Sequence, residues 1–370
     1  METPWFVVRN VDEVPSPCLL FYPDRIEENV RRMIALVGNP ARLRPHMKTH
    51  KVPEVIRLQM QLGVTKFKCA TIAEVEMVAD CGASDIVLAY QPVGPNVHRL
   101  LTLARKFPQT TFAAVADDAE AIRVLGEAFS AAGLTLNLFL DVDCGMHRTG
   151  VAPGAKAVEL YRLIAATPGL RPAGLHAYDG HNHETDLAVR EAMCEANLRP
   201  VVALRRELEG LGLAVPKILA GGTPTFPLYA KNPEVSECSP GTCVLWDFGY
   251  ERMLPDMQFL VAAVLLTRVI SKPGTDRLCL DLGHKAVAAE NPHPRVFFPQ
   301  LPDAKAVMQS EEHLVLETPR AGEFAVGDCL YGVPRHICPT CAVHSEVVVV
   351  RNGLAAERWK VLARARTITV

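Results

Sequence analysis

The chain has 370 residues, 49% of them hydrophobic, and a formal net charge of −2; this length allows a large core and favours two domains, and the charge balance excludes the positive field that nucleic-acid binding requires. Eleven cysteines, an odd number, are scattered through apparent strands and helices, as at Cys69, Cys81 and Cys279, so they give no disulfide framework and read as small buried residues in a reducing compartment. Met1-Glu2-Thr3-Pro4-Trp5 lacks the basic start and apolar core of a signal peptide, and no apolar run approaches about 18 residues, which makes a soluble cytoplasmic protein without a membrane partner the expectation.

In chain order, the run 16–22 is strand-like and precedes an amphipathic helix over 23–37, whose apolar face is Ile26, Val30, Met33 and Ile34. Short apolar strands then alternate with amphipathic helices, at 42–45, 66–70, 85–89, 111–115, 136–141, 170–177, 217–220 and 235–239. Eight strands separated by helices predict an α/β fold closed into a (β/α)8 TIM barrel, although alternation alone does not exclude a doubly wound sheet. After Gly249 the rhythm changes. The runs 259–270, 278–282, 313–317 and 345–351 are β-rich and joined by Gly, Pro and Asp turns, which predicts a C-terminal all-β domain. The expected division is a barrel over 23–249 and a β domain made of 1–22 and 250–370.

Six stretches carry candidate chemistry. Arg44-Pro45-His46-Met47-Lys48-Thr49-His50-Lys51 follows a short apolar run and precedes a helical one, which places it at a strand exit, where α/β folds concentrate function. Cationic neighbours at Arg44, His46 and His50 favour the neutral Lys48 amine that a Schiff base requires, while on spacing alone a solvated or anion-holding turn is the plainer reading. Asp141-Val142-Asp143-Cys144-Gly145-Met146-His147-Arg148-Thr149-Gly150-Val151 closes an apolar strand with a glycine-bounded turn. There the plain reading is a salt bridge from Arg148 to Asp141 or Asp143.

Gly174-Leu175-His176-Ala177-Tyr178-Asp179-Gly180-His181 ends another strand with polar residues at its C-terminal edge. As structure alone it is a turn with a packed tyrosine. In Ala220-Gly221-Gly222-Thr223-Pro224-Thr225, two glycines allow close backbone approach, and hydroxyls with successive N–H groups entering a helical turn form an anion nest. Glu237-Cys238-Ser239-Pro240-Gly241-Thr242 continues into Cys243, which reads as a packed thiol. In Val333-Pro334-Arg335-His336-Ile337-Cys338-Pro339-Thr340, His336 and Cys338 are two apart. In an extended segment they share a face and reach one metal ion, with water and substrate completing its shell; a buried His and Cys is the plain alternative. Cys341 and His344 are assigned to the surroundings of that pair.

Arg-Pro-His-x-Lys-Thr-His-Lys resembles the lysine motif of the D-threonine aldolase and D-serine dehydratase family, and the similarity runs along nearly the whole chain. These are pyridoxal phosphate enzymes of the alanine-racemase barrel type. The resemblance implies an alanine-racemase-type barrel plus a β domain that takes in the N-terminal strand 16–22. It implies pyridoxal phosphate joined to Lys48 with His46 beside it, Arg148 on the cofactor's phenolic oxygen, Tyr178 next to the ring and His181 as a base. Gly221, Gly222, Thr223 and Thr225 would cradle the phosphate. The family's Glu-x-x-Pro-Gly-Thr run usually continues with tyrosine, where this chain has Cys243. For His336 and Cys338 it implies a divalent metal, the family using His-x-Asp in aldolases and His-x-Cys in dehydratases; a thiolate favours zinc over manganese or magnesium.

The implied substrate is a small D-3-hydroxy amino acid, and the implied reaction is Cα–Cβ retro-aldol cleavage of the D-threonine type, with His181 or metal-bound water taking the hydroxyl proton. The alternative is a D-serine or D-3-hydroxyaspartate dehydratase, in which Lys48 removes the Cα proton and the metal expels the hydroxyl. A racemase would need a second base, and none is identified. A non-catalytic cofactor carrier is usually a barrel alone, so the β domain speaks against it. By analogy the chain forms a homodimer.

Overall fold

The computed structural model describes residues 4–366 and 369–370. In chain order its strands are β1 (Cys18–Phe21), β2 (Lys66–Cys69), β3 (Asp85–Leu88), β4 (Thr111–Ala116), β5 (Leu136–Val142), β6 (Leu170–Ala177), β7 (Ile218–Ala220) and β8 (Glu237–Cys238). They continue with β9 (Ala263–Gly274), β10 (Arg277–Leu280), β11 (Val296–Phe297), β12 (Lys305–Gln309), β13 (Leu314–Glu317), β14 (Cys329–Pro334), β15 (Glu346–Arg351) and β16 (Leu354–Lys360). The chain divides into two compact units. A barrel unit comprises Arg31–Lys48, Ile56–Gly241 and Ala365–Val370, and a β unit comprises Met1–Val30, Thr49–Val55 and Thr242–Arg364. The edges of these units differ from the expected 23–249 span: the chain from Thr242 onward, and the short segment just after Lys48, go with the β unit.

In the barrel unit β2 to β8 form one parallel sheet in sequence order. The segment 43–46 completes the ring. Leu43 bridges to Cys238 on β8 and His46 bridges to Lys68 on β2, both in parallel. Arg44 N–H donates to Cys238 O at 2.9 Å, and Lys68 N–H donates to Pro45 O at 2.9 Å. The expected first strand at 42–45 is therefore present as an irregular one, because Pro45 offers no N–H to a ladder. Val87, Ala113, Val115, Phe139 and Leu219 fill the barrel interior. Asp118 and Asp186 cap the N-termini of Ala119–Ala131 and Leu187–Gly210, and Thr71 caps Ile72–Asp80, so helix starts follow the polar loop residues. Gly174 is obligatory in β6. At φ +125° its backbone passes so close to β7 that a Cβ would lie 1.9 Å from Lys217 O.

The barrel floor, at the strands' N-terminal ends, carries a buried charge network. Arg44, 1% exposed, donates to Glu237 at 2.6 Å and to Asp85 at 2.8 and 2.9 Å. Lys66 and Lys217 reach Glu237 at 2.7 and 2.9 Å. This corrects the expectation that Arg44 flanks Lys48: in an extended segment its side chain is committed to the floor.

The β unit is a mixed sheet in the order β12-β13-β10-β9-β1-β15-β16, with β14 paired to β9 and β11. The N-terminal β1 runs parallel to β15 and antiparallel to β9. Two short helices, Phe248–Met253 and Ile337–Val343, also belong to this unit, so it is not all β. No helix among the described residues is long and apolar enough to cross a membrane.

Candidate active site

Lys48 lies in the barrel unit, in the 3-10 turn Met47–Thr49 just past the closing segment, and its backbone N–H donates to His46 Nδ1 at 3.3 Å. Its ammonium nitrogen stands 5.8 Å from the centre of the Tyr178 ring. Two more cations face the same ring: Lys68 Nζ at 5.2 Å and Arg148 Cζ at 5.2 Å. Three of the residues singled out from the sequence, Lys48, Arg148 and Tyr178, are thus brought together. Arg148 makes no salt bridge to Asp141 or Asp143. Asp143 pairs with His147 at 2.8 Å and Asp141 pairs with His176 at 2.6 Å.

Lys68 is the residue that the sequence reading missed. Register gives the reason for its position: it pairs with Val87 of the inner core, and paired residues share a face, so Lys68 points into the barrel. Only 3% exposed, it is driven down to about 7 by burial, then by the nearby charges of Lys48, Arg148 and Arg44, with Asp141 opposing. Asp141 and His176 form a second missed pair. They are register partners on β5 and β6, and Asp141 holds His176 Nδ1 while the buried Nε2 has no hydrogen-bond partner. Burial and then Lys68 push this imidazole below its ordinary range.

The glycine pair packs under the tyrosines. A Cβ on Gly222 would lie 3.0 Å from Tyr178 Cε2, and one on Gly221, at φ +77°, would lie 2.7 Å from Tyr229 Cδ2. Gly221 N–H donates to Ala177 O at 3.3 Å and Gly222 N–H to Thr225 Oγ1 at 3.2 Å, both long bonds. Thr225 is fully buried and donates its only hydroxyl proton to Asp179 at 2.9 Å, so it braces the turn instead of presenting a donor to a phosphate. Thr223 Oγ1 accepts from Gly241 N–H at 3.1 Å. His181 lies against Gly145, and its Nε2 is 3.3 Å from Asn197 Nδ2 while Nδ1 is buried without a partner.

In the β unit, His336 is the extended N-cap of the helix Ile337–Val343 and Cys338 lies in its first turn. The expected extended segment is corrected here: Pro339 is tolerated within the first helical turn, so the chain coils immediately after His336. The two side chains meet nonetheless. Burial opposes charge on His336, but its hydrogen bond to the Cys338 sulfur, Glu290 at 2.6 Å and nearby Asp247 raise it to about 9. Burial likewise opposes the thiolate, yet His336, Thr242 and Thr49 hold Cys338 below its ordinary range. Both hydroxyls lie 3.3 Å from the sulfur. Asp247 accepts from Ile337 N–H at 3.0 Å and so pins the helix start. Among the described residues no group of three or more His, Cys, Asp or Glu is set to hold a metal. Cys341 is fully buried, and His344 bonds the Ala286 carbonyl at 2.8 Å.

The Alanine racemase, N-terminal domain family matches residues 22–247. The chain belongs to this family. A second match, to the Putative serine dehydratase domain, covers 262–350 of this alanine-racemase-type protein. It is 31% identical to a 3-hydroxy-D-aspartate aldolase of Paracoccus denitrificans (strain Pd 1222), over 96% of this chain and 93% of that protein. It is 30% identical to a D-threonine aldolase of Arthrobacter sp, over 95% of this chain and 93% of that one. Among solved structures it superposes on the D-threonine aldolase of Filomicrobium marinum with a TM-score of 0.90 and 29% identity, covering 96% of this chain and 97% of that one.

Proposed function

We propose that this chain is a pyridoxal phosphate- and divalent metal-dependent lyase that cleaves D-3-hydroxy amino acids between Cα and Cβ, releasing glycine and an aldehyde. The observation that carries this reading is the single tyrosine ring, Tyr178, ringed by the Lys48 and Lys68 amines and the Arg148 guanidinium. The residues fit the cofactor. They combine amines with a surplus of positive charge, a buried imidazole nitrogen with no partner, and a glycine turn whose N–H bonds are long enough for an anion to compete. Once bound, pyridoxal phosphate supplies an electron sink for the pair left on Cα when the bond breaks.

Lys48 is the proposed attachment amine and His46 shapes its turn. Arg148 supplies a fixed cation for a developing oxyanion, and Tyr178 a flat apolar wall. Gly221, Gly222 and Thr223 are the proposed phosphate contacts. His181 is the proposed base: exchanging its Asn197 bond for a substrate hydroxyl would set its imidazole against the proton that leaves. His336 and Cys338 are the proposed metal ligands, because replacing their shared proton frees a nitrogen and a sulfur lone pair together, and Glu290 orients the imidazole from behind. The thiolate points to zinc. A homodimer and a cytoplasmic location complete the proposal, the latter in keeping with eleven unbridged cysteines.

Incubation with D-threonine is expected to yield glycine and acetaldehyde, with L-threonine inert. Pyruvate and ammonia from D-serine, without glycine from D-threonine, would instead establish the dehydratase, which the His-x-Cys pair favours. Borohydride reduction followed by peptide mapping is expected to place the cofactor on Lys48, and Lys48→Ala to abolish the label.

A further inference from the structure

The guanidinium of Arg148 makes no hydrogen bond or ion pair among the described residues, although it faces the Tyr178 ring at 5.2 Å. Its place is therefore set by the backbone that carries it. We propose that Asp117 is a positioning residue for Arg148: its carboxylate ties down the loop that presents the guanidinium to the cofactor's phenolic oxygen. The inference rests on the reading of Arg148 as the cation beside the cofactor.

The loop after β5 is tied on both sides of Arg148. On the outward leg, Asp143 Oδ1 accepts from Gly145 N–H at 2.9 Å and His147 N–H at 3.0 Å. On the return leg, the Thr149 hydroxyl bonds the Asp141 carboxylate, and Val151 bridges to Val142. These ties all come from β5 and its own loop, so they shape the loop without fixing it against the rest of the barrel. The bond from Gly150 N–H to Asp117 Oδ2, at 2.7 Å, does fix it, because Asp117 follows the neighbouring strand β4. Gly150 is also pressed onto the base of the loop, where a Cβ would lie 2.6 Å from Asp143 N.

Asp117 is itself held from the next strand along. Gln91, in the segment after β3, accepts from the N–H groups of Asp117 and Asp118 on its Oε1, both at 3.0 Å. Asp118, not Asp117, caps the helix Ala119–Ala131. The Asp117 carboxylate thus has no part in starting that helix, and its bond to Gly150 places it two residues from Arg148. A charged group tunes a cofactor only if its supporting residues hold it to within about 0.5 Å, and a side chain without a partner of its own draws that precision from its loop.

Two measurements on the full-length chain test this, using Asp117→Ala, which removes acceptor and charge, and Asp117→Asn, which removes the charge but keeps an acceptor oxygen. In the first, backbone hydrogen exchange is followed by NMR without cofactor. The Gly150 amide should be protected in the wild type and in Asp117→Asn, and should exchange about tenfold faster or more in Asp117→Ala. In the second, the visible absorbance of bound pyridoxal phosphate is titrated with pH. It reports the proton shared between the attachment nitrogen and the phenolic oxygen, and a cation beside that oxygen lowers the midpoint. Arg148→Met should raise the midpoint by about one unit, and Asp117→Ala should lie above Asp117→Asn by about half a unit. Combined with Arg148→Met, the two Asp117 variants should titrate alike, which a merely structural role would not produce.

Equal midpoints for Asp117→Ala and Asp117→Asn while Arg148 is present, or an unprotected Gly150 amide in the wild type, overturn the inference. Should Asp117→Ala fold poorly, Gln91→Met takes its place: it frees the backbone behind Asp117 without changing charge and should raise the midpoint, and an unchanged midpoint there overturns the inference equally. A wild-type midpoint in Arg148→Met would sink the reading of Arg148 itself and carry this inference with it, which is a different outcome.

Discussion

Replacing Glu237 with glutamine tests whether the barrel is held closed by charge. Glu237 is 2% exposed and receives Arg44, Lys66 and Lys217 on its two oxygens. Burial alone would raise its pKa; Arg44 above all, with the two lysines, takes it from 4.5 down to about 2. At about 1.4 kcal/mol per pKa unit, that difference is worth about 3 kcal/mol of folding stability. The sign follows from the direction. A carboxylate depressed in the folded state contributes fully above its unfolded value, near 4.5, and loses its contribution as pH falls toward 2. Glu237→Gln should therefore cost about 3–5 kcal/mol at pH 7, the upper end reflecting the Arg44 charge left partly uncompensated. Because glutamine does not titrate, the gap to wild type should narrow by about 1 kcal/mol at pH 4 and about 2 at pH 3. Urea denaturation at these pH values measures it. A gap below 1 kcal/mol at pH 7, or one that stays constant down to pH 3, would refute the assignment of stability to this network.

Lys68 should behave in the opposite sense. With its folded value lowered to about 7, wild-type stability should rise with pH above 7, and Lys68→Met should exceed wild type most at pH 6, the gap closing by about 2–3 kcal/mol at pH 9 in denaturant titrations. For the metal site proposed at His336 and Cys338, Glu290→Gln should weaken zinc binding by about 10–100-fold in calorimetric titration, through the loss of the carboxylate behind His336, with little change in thermal midpoint. Gly221→Ala should cost about 1–3 kcal/mol, because its φ of +77° and the Tyr229 ring both exclude a Cβ; an equally stable variant would show that the turn relaxes.

Local pattern made most of the barrel legible. Apolar runs such as Asp85–Leu88 and Leu136–Val142 announce buried parallel strands without any knowledge of their neighbours. Pattern showed that Lys48, Arg148 and Tyr178 each end or follow a strand; it was the family resemblance that brought them into one reading. What pattern could not give is direction across the barrel. Lys66-Phe67-Lys68-Cys69 alternates like a half-exposed strand, and only its pairing with Val87 shows that Lys68 looks inward. Arg44 shares a motif with Lys48 but points to the floor, since neighbours along an extended chain need not face the same end. Glu237 and Asp85, its partners, lie 193 and 41 residues away in sequence. In the β unit, β12 and β16 carry exposed charged residues and no clean alternation, so their pairing as strands was invisible. Pro339 was the overlooked cue at His336 and Cys338: a proline two residues into a segment marks the first turn of a helix as readily as an extended stretch.

The allocation of charge between the two ends of the barrel separates what stabilises from what acts. On the floor, three cations meet two carboxylates, all at salt-bridge distance, and Glu237 is satisfied by three of its neighbours. At the mouth, Lys48, Lys68 and Arg148 crowd one neutral ring, and the carboxylate among them, Asp141, is already spent on His176. A fold under pressure only for stability would replace the buried amine of Lys68 with an apolar side chain of similar length, because a lysine held near neutrality costs it several kcal/mol below pH 7. The surplus has a use if an anion is to be drawn in and an amine kept reactive beside it, since both needs are met by the same unbalanced positive charge. Adding a carboxylate there, as in Val87→Glu facing Lys68, should hold Lys68 protonated and suppress cofactor attachment at pH 7 even if the barrel still closes. Undiminished attachment in a folded Val87→Glu protein would mean that the charge imbalance at the mouth is incidental.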